Sequence, residues 1–379
     1  MFQAGVFMRL KEFQAKEIFR KYGIATPEGA MVRSPEEVEE VARALEGAVV
    51  LKPQLRVKGR GKVGGIGFAG NPREAVEEAR RLFKATIHGE AVKRMLIEEK
   101  IQIQKEMYLA VTVDYAARRP LIMASDVGGI DIEEISERNP EQIIRIHTLP
   151  GEKITEALVS AAEEILGEDV AQILVKLYSI FNETSGEIVE INPLVRDVNG
   201  RLYAVDAVLN VDDDSVFKHD FLKRIQQEAR KEDPIASEAK ARNWTYIDLP
   251  GTIGILSSGA GLTMAIMDMI HAAGGRPANF LDTAQIDDEG IYQAFDLIMR
   301  AKPVNVLLIN IFAGLNRCDL LASGIRKFLE DHRPQVPLVI RMVGNAEEKG
   351  YAVLEETGIN PFSSLEEAVS RAVELGGPP

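Results

Sequence analysis

The stretch Val189-Glu190-Ile191-Asn192-Pro193-Leu194-Val195 alternates apolar residues with a carboxylate and a carboxamide. In a strand, a period of two puts Glu190 and Asn192 on one face. Oxygen donors of these kinds suit a hard divalent cation. Downstream, Asp197-Val198-Asn199-Gly200 reads as a turn, and Leu202-Tyr203-Ala204-Val205 leads back to Asp206, a third oxygen donor. The turn decides whether the three can meet. A two-residue Asn199-Gly200 loop sets Asn192 opposite Ala207 and sends Asp206 to the other face. A three-residue loop, Val198 to Gly200, with Gly200 in the left-handed position, pairs Asn192 with Asp206 and Glu190 with Val208. The longer loop is expected. The competing reading is a surface hairpin with its polar residues outward, but Glu190 and Asn192 in an otherwise apolar strand favour metal. Mg2+ held by one or two protein oxygens, and otherwise by waters and nucleotide phosphates, is the usual arrangement for phosphoryl transfer.

A second chemical stretch follows the apolar run Ala48-Val49-Val50-Leu51, which ends at Lys52. Lys58-Gly59-Arg60-Gly61-Lys62-Val63-Gly64-Gly65 is dense in glycine and in positive charge. Glycines let backbone amides approach an anion and the cations neutralise it, so a phosphate cradle is expected rather than a flexible basic turn.

Several elements must position these residues. Leu10 to Tyr22 has helical periodicity and stops at Gly23. Ser34-Pro35-Glu36-Glu37 and Asn71-Pro72 open capped helices. Met95-Leu96-Ile97 reads as a strand leading into Glu98-Glu99, and Lys105 to Val113 pairs with Leu121 to Ala124 across an Arg-Arg-Pro turn. One helix is expected from Ile154 to Phe181, supporting the hairpin. Asp212-Asp213-Asp214 lacks the spacing of a calcium loop and reads as a solvated loop. Phe221 to Asn243 is rich in charge and reads as a linker helix.

From Thr252 the pattern becomes regular α/β. Apolar strands at Ile253 to Ser258, Ala278 to Leu281, Val304 to Phe312 and Pro337 to Val343 alternate with helices, as in a parallel sheet covered on both faces, with ligands at the carboxyl ends of its strands. Those ends carry Ser257-Ser258-Gly259-Ala260-Gly261, Asp282-Thr283-Ala284-Gln285 and Ala313-Gly314-Leu315-Asn316-Arg317. Gly259 and Gly261 expose amides at a helix start, a seat for carboxylate or phosphate. For Gly261, tight strand-to-helix packing is an equal reading.

At 379 residues the chain is long enough for two or three domains. A boundary near Trp244 divides it into 1–243 and 244–379. A net charge of −13 argues against a general nucleic-acid binder. The single cysteine, Cys318, excludes an internal disulfide and a cysteine-rich metal site, and fits a cytoplasmic setting. No apolar run reaches membrane-spanning length. Met1 to Phe7 lack the basic start and long apolar core of a signal peptide, and Met8 is an alternative start.

The motifs Glu12-Phe13-Gln14-Ala15-Lys16, Gly59-Arg60-Gly61-Lys62 with Gly64-Gly65, Met123-Ala124-Ser125, Glu190-Ile191-Asn192-Pro193-Leu194-Val195, Pro277-Ala278-Asn279-Phe280-Leu281-Asp282 and Asn310-Ile311-Phe312 carry a resemblance. From Leu10 onward the chain resembles the β subunits of succinyl-CoA synthetase (succinate–CoA ligase). The resemblance implies an α/β chain, an ATP-grasp domain followed by a flavodoxin-like doubly wound domain. It implies that Lys52, Gly59, Arg60 and Gly61 hold the triphosphate of ATP or GTP, and that Glu98, Ile101 and Glu106 line the adenine and ribose. Asn192 and Asp206 would bind Mg2+, with Glu190 beside the phosphoryl acceptor. Ser258, Gly314, Leu315 and Asn316 would face the acid. The implied partner is an α subunit that carries a phosphohistidine and the CoA site.

Some positions depart from that pattern. Val208 stands where a lysine usually follows the aspartate by two, and Ser258 where asparagine faces the substrate. Thr283-Ala284-Gln285-Ile286 replaces a glycine run, with a one-residue deletion, and Ala313 replaces the first of two glycines. Succinate is therefore a weaker inference than nucleotide. Malate or citrate is one alternative, and a non-catalytic nucleotide-binding subunit is another; retention of Lys52, Glu190, Asn192 and Asp206 argues against the latter. The histidines, His88, His147, His219, His271 and His332, include none in a glycine-flanked loop suited to a swinging phosphoryl carrier. The acceptor is expected on another polypeptide.

Overall fold

The computed structural model describes residues 7–55, 64–87, 90–130, 132, 136–137, 139–152, 159–160, 163–164 and 166–377. They form two compact units, 1–226 and 227–379.

Among the described residues the first unit holds a two-stranded antiparallel ribbon, Thr86–Ile87 with Glu90–Ala91, and two larger antiparallel sheets. The smaller one takes β2 (Gly29–Val32), β3 (Val49–Pro53), β4 (Gly67–Ala69) and β5 (Met95–Glu99) in the order β2-β5-β3-β4. Its cover is α2 (Pro35–Ala44), capped by Ser34, and α3 (Pro72–Phe83), whose Asn71 cap accepts from the Glu74 amide at 3.0 Å. Both caps stand where the sequence signals them.

The larger sheet runs β1 (Phe7–Arg9), β11 (Val208–Asp212), β9 (Gly186–Asp197), β6 (Ile103–Asp114), β7 (Arg119–Ser125), β8 (Ile144–His147), with β10 (Leu202–Ala204) also on β9. The α1 helix (Glu12–Lys21) and α4 (Glu168–Glu183) pack on it; Ile18 and Phe19 of α1 and Val170, Leu174 and Leu177 of α4 share a core with Val189, Ile191 and Leu194 of β9. The expected helix from Ile154 to Phe181 is not continuous. Gly167 takes φ +89° and α4 starts anew after it. The apolar periodicity passes through this point without marking it, because a glycine inside a helical pattern is only a weak stop signal. Residues 153–158 lie outside the described residues.

The expected linker helix is two helices, α5 (Asp220–Glu232) and α6 (Pro234–Ala241), with Asp233 accepting from the Ala236 amide at 3.0 Å to start the second. Ala239 of α6 is buried in the core of the second unit. The compact units therefore divide before this helix, ahead of the division at Trp244 read from composition.

The second unit is a five-stranded sheet. Its strands are β12 (Thr245–Asp248), β13 (Ile253–Ser257), β14 (Asn279–Asp282), β15 (Val306–Ala313) and β16 (Leu338–Gly344), in the order β12-β14-β13-β15-β16. Four are parallel, as the near-continuous apolar runs require. The fifth, β12, is an antiparallel edge on β14 that the sequence reading omits. Helices α7 (Ala260–Ala272), α8 (Asp288–Ala301), α9 (Cys318–His332), α10 (Glu347–Glu355) and α11 (Leu365–Gly376) complete the unit.

Between β13 and β14 the ladder is completed by a side chain. The buried Asn279 carboxamide accepts from the Ile255 amide at 2.9 Å and donates to the Ile255 carbonyl at 2.8 Å. Asn279→Leu leaves both groups buried without partners, at about 1–3 kcal/mol each. Urea unfolding followed by Trp244, the single tryptophan and part of this core, is expected to show the loss.

Candidate nucleotide and metal site

The hairpin from β9 to β10 has the expected register. Leu194 pairs with Ala204 and Glu190 with Val208, so both strands advance four residues between the paired segments and Asn192 stands across from Asp206. The loop is Val198 to Gly200, closed by Asp197 and Arg201, with Gly200 at φ +85°. A two-residue loop is thereby excluded. Val189 and Ile191 are buried while Glu190 and Asn192 are half-buried on the opposite face. An ion pair from Arg196 to Asp169 of α4, at 2.6 Å, braces the hairpin.

Asn192 is already oriented. Its Oδ1 accepts from the Gly129 amide at 2.8 Å and its Nδ2 donates to the Ile130 carbonyl at 2.9 Å. This leaves Oδ1 one further lone pair for a cation. Glu106 of β6 closes on the same loop, its carboxylate so near Gly129 that a Cβ there would stand 2.4 Å from Oε2. Asp206 accepts from the Ala207 amide at 2.8 Å. Among the described residues no group of three or more His, Cys, Asp or Glu is arranged to hold a metal. Asn192 with Asp206 nonetheless fits Mg2+, which takes few protein oxygens and completes its shell with water and phosphate. Glu190 lies on β9 between Ala110 of β6 and Val208 of β11, so the departure at Val208 falls directly across from it.

Lys52 of β3 reaches the same place. Its ammonium donates to the Val205 carbonyl, next to Asp206, and lies 3.0 Å from Glu12 and 2.8 Å from Glu98. Burial works against its charge, but the carboxylates of Glu12, Glu98 and Asp206 together outweigh burial and hold its pKa above the usual lysine value. Glu98 is buried, and its carboxylate is bound to Lys16 and Lys52. Ile101 is half-buried in the connection from β5 to β6. Gly59, Arg60 and Gly61 lie outside the described residues. Sequence reasoning gave Glu12 and Lys16 no chemical role; the available signal was two charged residues on the helix face that also carries Ala15, Ile18 and Phe19.

In the second unit, Ser258 after β13 and Asn316 after β15 line one cleft at the carboxyl ends of adjacent parallel strands, with Ser257, Thr283, Asn310 and Phe312. Asn316 donates to the Ile286 carbonyl at 2.8 Å. Gly314 and Leu315 belong to the same loop, and Leu315 is exposed. The expectation that Gly259 offers a free amide is corrected. That amide donates to Asp282 Oδ1 at 2.9 Å, and the Ala284 amide does the same at 2.9 Å. A carboxylate of the chain itself occupies the seat. At Gly261 a Cβ would meet nothing within 4 Å, so tight packing does not explain that glycine. Burial pushes the Cys318 thiol up to about 11, with Glu347 and Asp319 adding, which makes it a poor nucleophile.

Residues 9–196 match the ATP-grasp domain family and residues 256–375 the CoA-ligase family. The succinate–CoA ligase [ADP-forming] subunit beta of Desulfurococcus amylolyticus is 40% identical over 376 residues, 97% of this chain and 99% of the relative. That of Methanocaldococcus jannaschii is 40% identical over 97% of this chain and 100% of its own length. Subunit beta 2 of the Archaeoglobus fulgidus enzyme is 41% identical over 97% and 99%. Among solved structures, an ATP citrate lyase from Methanothrix soehngenii shares the fold, with a TM-score of 0.69 at 22% identity over 97% of this chain and 100% of that one. An ATP-grasp unit followed by a CoA-ligase unit, matched to these relatives over nearly the whole length, shows that the chain belongs to the family of succinate–CoA ligase β subunits.

Proposed function

We propose that the chain is the nucleotide-handling subunit of a succinate–CoA ligase and that Lys52, Asn192 and Asp206 mark its phosphoryl-transfer site. The observation that carries this reading is the meeting of Lys52 with the Val205-Asp206 segment, directly across from Asn192. Lys52, with Gly59, Arg60 and Gly61, binds the triphosphate, while Ile101, Glu106 and the backbone of Glu98 line the nucleoside, the Glu98 carboxylate being taken by Lys16 and Lys52. Asn192 and Asp206 would hold Mg2+, which when bound neutralises phosphate charge. Glu190 orients an incoming imidazole of an α subunit. The γ-phosphoryl passes to that imidazole as the nucleoside diphosphate leaves, and then to the carboxylate of succinate. The thiol of CoA finally displaces phosphate to give the thioester. Positioning and charge neutralisation supply most of the rate gain. The relatives are named ADP-forming, which favours ATP over GTP. The acid is assigned to the cleft with Ser258 and Asn316 and the neighbouring Gly314-Leu315. Among the described residues no helix is long and apolar enough to cross a membrane, and a cytoplasmic setting accords with this chemistry.

The test uses the chain with and without its co-purifying partner, Mg2+ and γ-labelled nucleotide. Acid-labile label is expected on the partner, lost with Glu190→Ala; label on this chain, or acyl-CoA formed without a partner, would refute the reading. A second acid is favoured by one observation, the Ala284 amide turned to Asp282 where a glycine run would leave amides open. Offering the assembled enzyme succinate, malate and citrate decides between them, with succinate expected to give the highest kcat/KM.

A further inference from the structure

Two lysines and two glutamates from α1, β3 and β5 close a ring of alternating charge. Lys16 donates to both oxygens of Glu98, at 2.6 and 2.7 Å, and lies 2.9 Å from Glu12. Lys52 lies 3.0 Å from Glu12 and 2.8 Å from Glu98, so each carboxylate bridges both ammoniums. Lys16 also donates to the Val205 carbonyl, at 2.8 Å, as Lys52 does. The side chains of Lys16, Glu12 and Glu98 are 1–2% exposed and that of Lys52 is 11% exposed. Lys52 is thus the member with an outlet to solvent. Four buried charges are a poor route to stability, since apolar residues of similar volume generally do as well or better. The ring has a use once Lys52 must meet an anion. Without Lys16, Glu12 and Glu98 would leave the site with net negative charge, repelling phosphate and drawing Lys52 inward. With Lys16 the buried charges sum to zero, and Lys52 stays at the rim, tied to Val205.

We propose that Lys16 is a positioning residue for nucleotide binding: it balances Glu12 and Glu98 so that the Lys52 ammonium, whose donors rest on Glu12, Glu98 and Val205, can turn to the phosphate chain without leaving those carboxylates unpaired. This rests on reading Lys52 as a phosphate clamp. The experiment uses the assembled enzyme and measures the Kd of Mg-ATP, with KM for nucleotide and for acid. Lys16→Met is expected to weaken nucleotide binding roughly tenfold to a hundredfold and to leave the acid KM unchanged. Lys16→Met/Glu12→Gln, which again matches one lysine with one glutamate, should recover most of the loss. A merely structural lysine would give no such recovery. Wild-type affinity in Lys16→Met, or a double variant no tighter than the single, overturns the proposal. If Lys16→Met does not fold, the double variant decides alone, near-wild-type affinity supporting the proposal and a loss of about tenfold or more ending it. Lys52→Met separates the two readings. Unchanged affinity there refutes the clamp itself, whereas lost affinity there with wild-type behaviour of the Lys16 variants refutes only the role of Lys16.

Discussion

Lys52→Met is expected to weaken Mg-nucleotide binding and slow phosphoryl transfer by about two to three orders of magnitude. Methionine keeps the apolar stem and removes the charge, so packing along β3 is largely preserved. Two effects then act in the same direction. The phosphates lose a cation, and Glu12 and Glu98 are left with Lys16 alone, which makes the site repel an anion. The pH dependence has a definite sign. The Lys52 pKa lies above its ordinary value of 10.5, so the contribution of its charge is fully present below that value and is lost only as pH rises through the higher one. Nucleotide affinity should therefore show no step from Lys52 across about pH 6–9. Calorimetric titration of the wild type and the variant with Mg-ATP checks both statements, with Trp244 fluorescence reporting that the second unit is intact. Affinity within a few-fold of wild type would remove Lys52 from the clamp.

Asp206→Ala is expected to cost about 10²–10³ in the transfer rate and to raise the Mg2+ concentration needed for half-maximal nucleotide binding, with unfolding temperature nearly unchanged. The aspartate is half-buried and carries little packing; the bond to the Ala207 amide is among the ties it loses. Asp206→Asn keeps an acceptor for that amide while removing the charge, so it separates the loss of charge from the loss of that bond. Ordinary Mg2+ dependence in both variants would end the assignment of this residue to the cation.

The hairpin was legible because period-two alternation and a glycine at a defined place in the turn leave few registers, and one of them puts all three oxygens on a single face. The parallel sheet was legible for a related reason, since strands buried on both faces must be apolar at every position. The ring around Lys52 was not. Glu12 and Lys16 belong to a helix whose charged residues pass for its wet face, and the partner that inverts this reading, Glu98, is 82 residues from Lys16 in sequence. Gly259 misled for a similar reason. A glycine at a helix start signals an available amide, and only the packing of β13 beside β14 shows that Asp282 takes it. The break at Gly167 was visible as a residue but was outweighed by the periodicity on either side. Antiparallel β12 is short and half-exposed, which gives it little apolar signature.

One backbone oxygen receives two ammoniums. The carbonyl of Val205 is held by Lys16 from α1 and Lys52 from the small sheet, and the next residue carries a carboxylate assigned to the cation. A pull on Lys52 by a phosphate would thus be felt one peptide unit from the proposed metal donor. On the proposed assignments the two ligands share a common element, and the free energy by which Mg2+ would tighten nucleotide equals the free energy by which nucleotide would tighten Mg2+. Loosening that carbonyl's hold is then expected to reduce both by the same factor, which would place part of the coupling between metal and nucleotide in the main chain.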